Sequence, residues 1–180
     1  QERGDQLKTI DIIEAKVSDL YDNLSAVADY AKRKYIAETP VTVSIDEILN
    51  AKYAELVPDA EANGIVMTIS AKRALAFAKP DALKSVLHNL ILNAIEHAEC
   101  SNIWLKVYRK FDKCIITVTD NGKGFGDKDV FHPYYSGNEG EENVGLGLYI
   151  CKSHIEAMNG TLTHEYSNHK LTFTITLPIA

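Results

Sequence analysis

The chain has 180 residues, a formal net charge of -6, 46% hydrophobic and 24% charged residues. This is the size of one domain or one domain with an extension, and the composition suits a globular chain with a core of useful size. The acidic balance argues against a nucleic-acid partner, which calls for a basic face. No apolar run reaches the roughly 18 residues of a membrane span. The polar first residues do not read as a signal peptide. Cys100, Cys114 and Cys151 match neither CxxC nor a zinc knuckle and read as small buried or half-buried side chains. HExxH and GxxxxGK[ST] are both absent.

Residues 1 to about 37 predict one long helix. Leu7, Ile10, Ile13, Val17, Leu20, Leu24, Val27 and Ala31 recur every three or four positions, a stripe that needs a partner helix. Pro40 and the β-branched run "ETPVTVS" end it in a linker or first strand. A helix follows from Ser44, read as its N-cap with Glu47 completing a capping box. "IVMTIS" and "ALAFA" read as strands. "KPDALKSVLHNLILNAIEHA" is a strong helix with Asp81 as its expected cap. "NIWLKVYRK" and "KCIITVTD" alternate as a strand pair. A glycine-rich stretch from 126 to about 143 precedes a helix over roughly 145–158, stopped at Asn159-Gly160, and a closing hairpin. Helices gathered on one face of a mixed sheet give the expected fold, a two-layer α/β sandwich.

Three groups of residues carry chemistry. Asn89, Asn93 and His97 form one row on the helix over 81–98. Two Asn residues in a helix interior are unfavourable for its propensity. They are either a surface row or amide oxygens for a hard cation such as Mg2+. In "DNGKGF", Asp120 ends a strand and Gly122 and Gly124 follow, forming either a capped hairpin or a floor for a flat ligand with Asp120 accepting from its amino group. In "NVGLGLYICKSHI", Gly145 and Gly147 open a helix whose free N–H groups suit phosphates.

Together these motifs resemble the catalytic domain of sensor histidine kinases, of the wider ATPase superfamily that includes gyrase B, Hsp90 and MutL. "NLILNAIEHA" is similar to its N box, "DNGKGF" to its G1 box, "VFHPYYSG" to its F box and "GLGLYICKSHIEAMNG" to its G2 box, in order, across about 40–180. Residues 1–38 resemble the second helix of the dimerisation and phosphotransfer hairpin, leaving 39–180 as the ATP-binding catalytic domain. The resemblance implies a Bergerat-type ATP-binding fold, ATP and Mg2+ as ligands, and a role for each matching position. Asn93 would ligate Mg2+, with Asn89 supporting it and His97 on the pocket face. Asp120 would read the adenine amino group, directly and through water, with Thr172 near that water. Gly122, Gly124 and Phe125 would shape the adenine wall. Gly145, Leu146, Gly147 and Leu148 would form the phosphate end, and Phe131, Pro133 and Tyr134 a mobile lid.

The function so implied is transfer of the γ-phosphoryl of Mg-ATP to a histidine outside this chain, for relay to a response regulator receiver domain. The implied assembly is a homodimer through the first helix, cytoplasmic in itself or as part of a membrane-bound sensor. Several positions depart from the family pattern. Asn143 stands at the usual first glycine of the G2 box, and Glu96 where Lys is common. Between Phe131 and Leu148 there is no Lys or Arg, while Glu139, Glu141 and Glu142 are present. That acidic stretch keeps open a nucleotide-sensing, phosphatase-biased or weakly active kinase module. Asn89, in the place of a water-activating Glu, disfavours a conformational ATPase.

Overall fold

A computed structural model describes residues 38–125, 130–132 and 146–180. The expected helix over 1–37 and the lid positions Pro133 and Tyr134 lie outside the described residues. The chain runs β1 (Val41–Ser44), α1 (Ile45–Ala62), β2 (Val66–Ala71), β3 (Leu75–Ala78), α2 (Pro80–His97), β4 (Asn102–Lys110), β5 (Lys113–Asp120), α3 (Gly147–Glu156), β6 (Thr161–Ser167) and β7 (Lys170–Pro178).

Two sheets form. β1 and β3 pair antiparallel, and a five-stranded sheet has the order β2-β4-β5-β7-β6. Within it β2 and β4 are parallel and every other pair is antiparallel, so the sheet is mixed, as expected. The parallel pair requires a crossover, which β3 and α2 supply. On β5 and β7 alternate residues point inward. Cys114, Ile116, Val118 and Asp120 are buried on one strand, and Leu171, Phe173, Ile175 and Leu177 on the next. Against this face α2 lays Leu83, Val86, Leu87, Leu90 and Ile91, all buried in the same core. Burying each such side chain contributes on the order of 1.5–3 kcal/mol. Helices on one face of a mixed sheet make the two-layer α/β architecture.

Two expected helix caps are corrected. Ser44 does precede α1 with extended backbone, but its hydroxyl caps no helix N–H. It donates instead to Asp46 Oδ1 at 2.8 Å. That carboxylate also accepts from the Ala74 N–H at 3.2 Å, tying the start of α1 to β3. Asp81 is not the cap of α2. Lys79 holds the N-cap position, Pro80 opens the helix, and Asp81 already lies in the first turn. The free N–H groups of Asp81 and Ala82 are satisfied from far away in sequence, by the Glu38 carboxylate at 3.2 and 3.3 Å. At the other end of the chain, the stop after α3 forms as read: Asn159 adopts φ 55° and the Gly160 N–H returns to the Ile155 carbonyl at 3.0 Å. Among the described residues, no helix is long and apolar enough to cross a membrane.

Candidate nucleotide site

β5 carries the site's most buried polar group. Asp120 ends the strand at 2% exposure, in line with the apolar residues beneath the helices. Burial holds its carboxyl above the ordinary aspartate range, and the Gly122 N–H, donating to Oδ1 at 2.8 Å, partly opposes that shift. Oδ2 has no hydrogen-bond partner among the described residues. A buried carboxylate with one oxygen to spare is costly unless another donor reaches it.

The turn after Asp120 is held from several sides. Asn121 Oδ1 accepts from the N–H groups of Ser101 and Asn102 at 3.0 and 2.9 Å. The Lys123 N–H donates to the Ala98 carbonyl at 3.0 Å, and Lys123 Nζ meets Glu99 at 2.7 Å. A Cβ on Gly122 would lie 2.1 Å from the Ala98 oxygen, so only glycine fits there. Gly124 has φ +65°, the left-handed region that favours glycine, and its outer side is closed by the Tyr166 ring. Phe125 continues the wall, edge-on to Phe173 with ring centres 6.2 Å apart.

α2 links this turn to the other end of the site. Its final residues abut Gly122 through Ala98, and Asn89 Nδ2 lies 3.7 Å from Cys151 Sγ on α3. Nine residues of helix separate the two contacts, roughly 13 Å of rise. Asn93 stands between them, half-buried and with no hydrogen-bond partner among the described residues. His97, one turn on, places Nε2 3.7 Å from Glu96. At the α3 end, Leu146 precedes the helix and accepts from the Ile150 N–H at 2.9 Å, while Leu148 is buried. Gly147 is the opposite of Gly122: a Cβ there would meet nothing within 4 Å among the described residues. No described residue fills the space over this helix start. Gly145 and Tyr134 lie outside the described residues.

Thr172 does not join the group. It pairs with Thr119, and their hydroxyls bond to each other at 3.0 Å on the outer face of the sheet. The residue beside Asp120 on β7 is Leu171, because side chains alternate faces along a strand. Three contributors were not anticipated from sequence: Asn121 as the latch of the turn, Ala98 as its backbone contact, and Tyr166. A fourth feature is the anchoring of Phe131, whose buried ring meets His164 at 5.4 Å and Phe173 at 6.3 Å.

The residues suit a nucleotide. The spare Asp120 oxygen fits an amino donor, and the N–H groups at the start of α3 suit an anion. Among the described residues, no cluster of three or more His, Cys, Asp or Glu could hold a metal by itself. The Asn93 amide oxygen could serve a divalent cation whose other ligands are phosphates and water, the kind of site Mg2+ commonly takes.

Comparison with known proteins bears on the family and the fold. Residues 78–180 match the family model of histidine kinase-, DNA gyrase B- and HSP90-like ATPases. The chain is 34% identical over 147 residues to the sensor histidine kinase ZraS of Salmonella typhimurium, covering 77% of this chain and 31% of that protein. It is 33% identical over 101 residues to the heme sensor protein HssS of Staphylococcus aureus, covering 53% of this chain and 22% of the relative. It thus spans about a third or less of the curated relatives it matches. Among solved structures, the catalytic domain of histidine kinase ThkA superposes with a TM-score of 0.70 at 21% identity, covering 78% of this chain and 97% of that one. Acinetobacter baumannii histidine kinase AdeS superposes with 0.72 at 18% identity, covering 90% and 78%. ShkA in complex with AMPPNP gives 0.70 at 21% identity, covering 78% and 31%. With the family model spanning more than half of its length, the chain belongs to the histidine kinase-, DNA gyrase B- and HSP90-like ATPase family.

Proposed function

We propose that this chain is the ATP-binding catalytic part of a two-component sensor histidine kinase. It holds Mg-ATP and presents the γ-phosphoryl to a histidine outside the chain, from which a response regulator receiver domain takes it. The observation that carries the reading is the buried Asp120 carboxylate, one oxygen engaged by Gly122 and the other left over beside a glycine-lined turn. An adenine amino group is a fitting donor for that oxygen. Asn93 would ligate the cation and Asn89, held near Cys151, would support that end of α2. Gly145 and Gly147 would give N–H groups to the phosphates, with Leu146 and Leu148 setting the helix start. His97, Gly122, Gly124, Phe125 and Tyr134 would line the nucleoside. Bound Mg2+ would neutralise charge on the phosphates. The transfer itself breaks the bond from the γ-phosphorus to its bridging oxygen and forms one to a histidine nitrogen. The protein's part is to position and to stabilise charge.

The kinase relatives and the sequence stripe over 1–37 support a homodimer built on that segment. They also support 39–180 as the catalytic domain and a cytoplasmic setting, in itself or beneath a membrane-bound sensor. The run Glu139, Glu141 and Glu142, without Lys or Arg between Phe131 and Leu148, favours a second reading in which nucleotide binding mainly biases the parent protein toward phosphatase activity. Calorimetry with ATP and ADP, with and without Mg2+, tests the site. Binding in the range of about -4 to -8 kcal/mol is expected, lost in Asp120→Ala. Unchanged affinity in that variant would sink the reading. Adding a separate helical hairpin that carries a phosphoacceptor histidine, with γ-labelled ATP, distinguishes active kinase from the second reading.

A further inference from the structure

We infer that Tyr166 is a positioning residue for the nucleotide floor, setting the Gly122–Gly124 turn and through it the orientation of Asp120; this rests on the nucleotide reading above. Three observations meet at this side chain. A Cβ on Gly124 would lie 2.5 Å from Tyr166 Cδ2 and 2.8 Å from Cε2, so the ring occupies the space that any other residue at 124 would need. The Tyr166 hydroxyl donates to the Gly122 carbonyl at 3.4 Å, a long bond. The strand register puts Tyr166 beside Leu171 and Leu171 beside Asp120, one rank across β6, β7 and β5. Residues in such a rank share a face, so the ring rises on the same side of the sheet as the buried carboxylate.

The turn is therefore gripped from two sides. The end of α2 presses on Gly122 through the Ala98 carbonyl, a backbone contact that cannot give way cheaply. Tyr166 presses on Gly124 from the edge strand. Between these grips the Gly122 N–H is aimed at Asp120 Oδ1, which leaves Oδ2 for a ligand. Tyr166 stays 43% exposed, whereas Leu171 and Asp120 in its rank are buried, at 3% and 2%. An exposed aromatic ring on an edge strand contributes little to the core, so its packing on the turn is the better account of its place. Most of the effect belongs to the ring, since a hydroxyl bond at 3.4 Å is weak.

The test compares Tyr166→Ala, Tyr166→Leu and Tyr166→Phe, with Asp120→Ala as control, in the full chain. Calorimetry measures affinity for ADP and GDP, because a displaced Asp120 loses discrimination between the 6-amino group of adenine and the 6-oxo group of guanine. Tyr166→Ala is expected to weaken ADP about tenfold and to narrow the ADP-to-GDP preference, with Tyr166→Phe within about threefold of the parent on both measures. Amide exchange at Gly122–Gly124 should quicken in Tyr166→Ala and not in Tyr166→Phe. If Tyr166→Ala fails to fold, Tyr166→Leu carries the same comparison, with an effect between the other two. ADP affinity and base preference both within twofold of the parent in the ring-deleted variant would overturn the role. If Asp120→Ala still abolishes binding then, only the part assigned to Tyr166 falls. If Asp120→Ala binds normally, the site itself is misassigned.

Discussion

A methyl group on Gly122 would sit 2.1 Å from the carbonyl oxygen of Ala98 and 2.8 Å from its Cβ. The end of α2 and the turn after β5 thus meet backbone to backbone. The sequence motif "DNGKG" has its first glycine for this approach, and its second for the left-handed φ at Gly124. Gly147 carries no such constraint from the described residues. The two glycines should therefore respond in opposite ways. Gly122→Ala is expected to cost about 1–3 kcal/mol by overpacking and to weaken nucleotide binding as the turn shifts. Gly147→Ala should hold or raise stability by up to about 1 kcal/mol, since Ala favours helix over Gly, yet weaken nucleotide binding by crowding the phosphate end. Urea denaturation and calorimetry on both variants check the pair of outcomes.

Asp120 predicts a pH dependence. Burial raises its carboxyl above the ordinary 3.8, so across the interval from 3.8 to the raised value the folded state binds more protons than the unfolded one. Stability from this group falls as pH rises through that interval and is flat above it. At neutral pH the charged, buried carboxylate is a standing cost that Asn would not carry. Asp120→Asn should therefore match or exceed the parent in stability at pH 7 without nucleotide. The difference should narrow as pH falls toward 3.8, and nucleotide binding should be lost. Chemical denaturation from pH 4 to 8, beside a binding assay, reads both. A variant less stable than the parent throughout would contradict the assigned burial cost.

What could be read in advance was what is local and periodic. The stripe on α2, the alternation of β5 and the stop at Asn159-Gly160 all follow from neighbours within a few residues, and each is found where it was expected. The row Asn89, Asn93 and His97 is likewise set by helix geometry. Thr172 shows how a single position read by resemblance can go against a period of two that was already legible. Leu171, Phe173, Ile175 and Leu177 alternate with Thr172, Thr174 and Thr176, and that pattern already assigns the threonines to the outer face. The caps failed for another reason. Ser44 had a nearer competitor in Asp46, and the partner of α2 came from Glu38, more than forty residues away. Tyr166 has no motif around it; only the register across β6, β7 and β5 brings it to the turn.

That distant cap is itself testable. Glu38 places its two carboxylate oxygens on the N–H groups of Asp81 and Ala82, where a negative charge also suits the helix dipole. Glu38→Ala should cost about 0.5–2 kcal/mol, the usual worth of a lost cap. Glu38→Gln should recover part of it, and the difference between Gln and Glu should shrink as salt screens the charge. Denaturation at low and high salt measures both terms. Because Asn89 and Asn93 lie roughly two and three turns beyond the start of α2, fraying there should leave nucleotide affinity nearly unchanged while stability drops.

The thiols give a prediction free of any ligand. Burial pushes Cys114 up to about 11 and Cys151 up to about 12, and it raises Cys100 too, with the Asp120 charge adding to the effect. Cys100 is only half-buried, whereas the other two are buried. At pH 8 an alkylating reagent should modify Cys100 slowly and leave Cys114 and Cys151 untouched until the chain unfolds. Mass spectrometry over a urea series should show those two sites appearing together with global unfolding. Early labelling of Cys151 would mean that α3 opens from α2 on its own.

Asn93 separates binding from stability. It is half-buried on α2 yet has no hydrogen-bond partner among the described residues, whereas Asn89 one turn earlier faces the Cys151 sulfur at 3.7 Å. A polar side chain left free at such a place contributes little to the fold, and Asn is a poorer helix former than Ala. Asn93→Ala should therefore stay within about 0.5 kcal/mol of the parent or become slightly more stable. If its amide oxygen is the protein's ligand to Mg2+, the same variant should lose the increase in ATP affinity that Mg2+ provides, while affinity measured in chelator stays near the parent's. Asn89→Ala makes the useful contrast, since it removes a contact between α2 and α3 and should lower stability modestly in the absence of nucleotide. Calorimetry in Mg2+ and in chelator, with thermal unfolding of both variants, separates the two effects. A Mg2+ increment in Asn93→Ala equal to the parent's would remove this residue from the metal site.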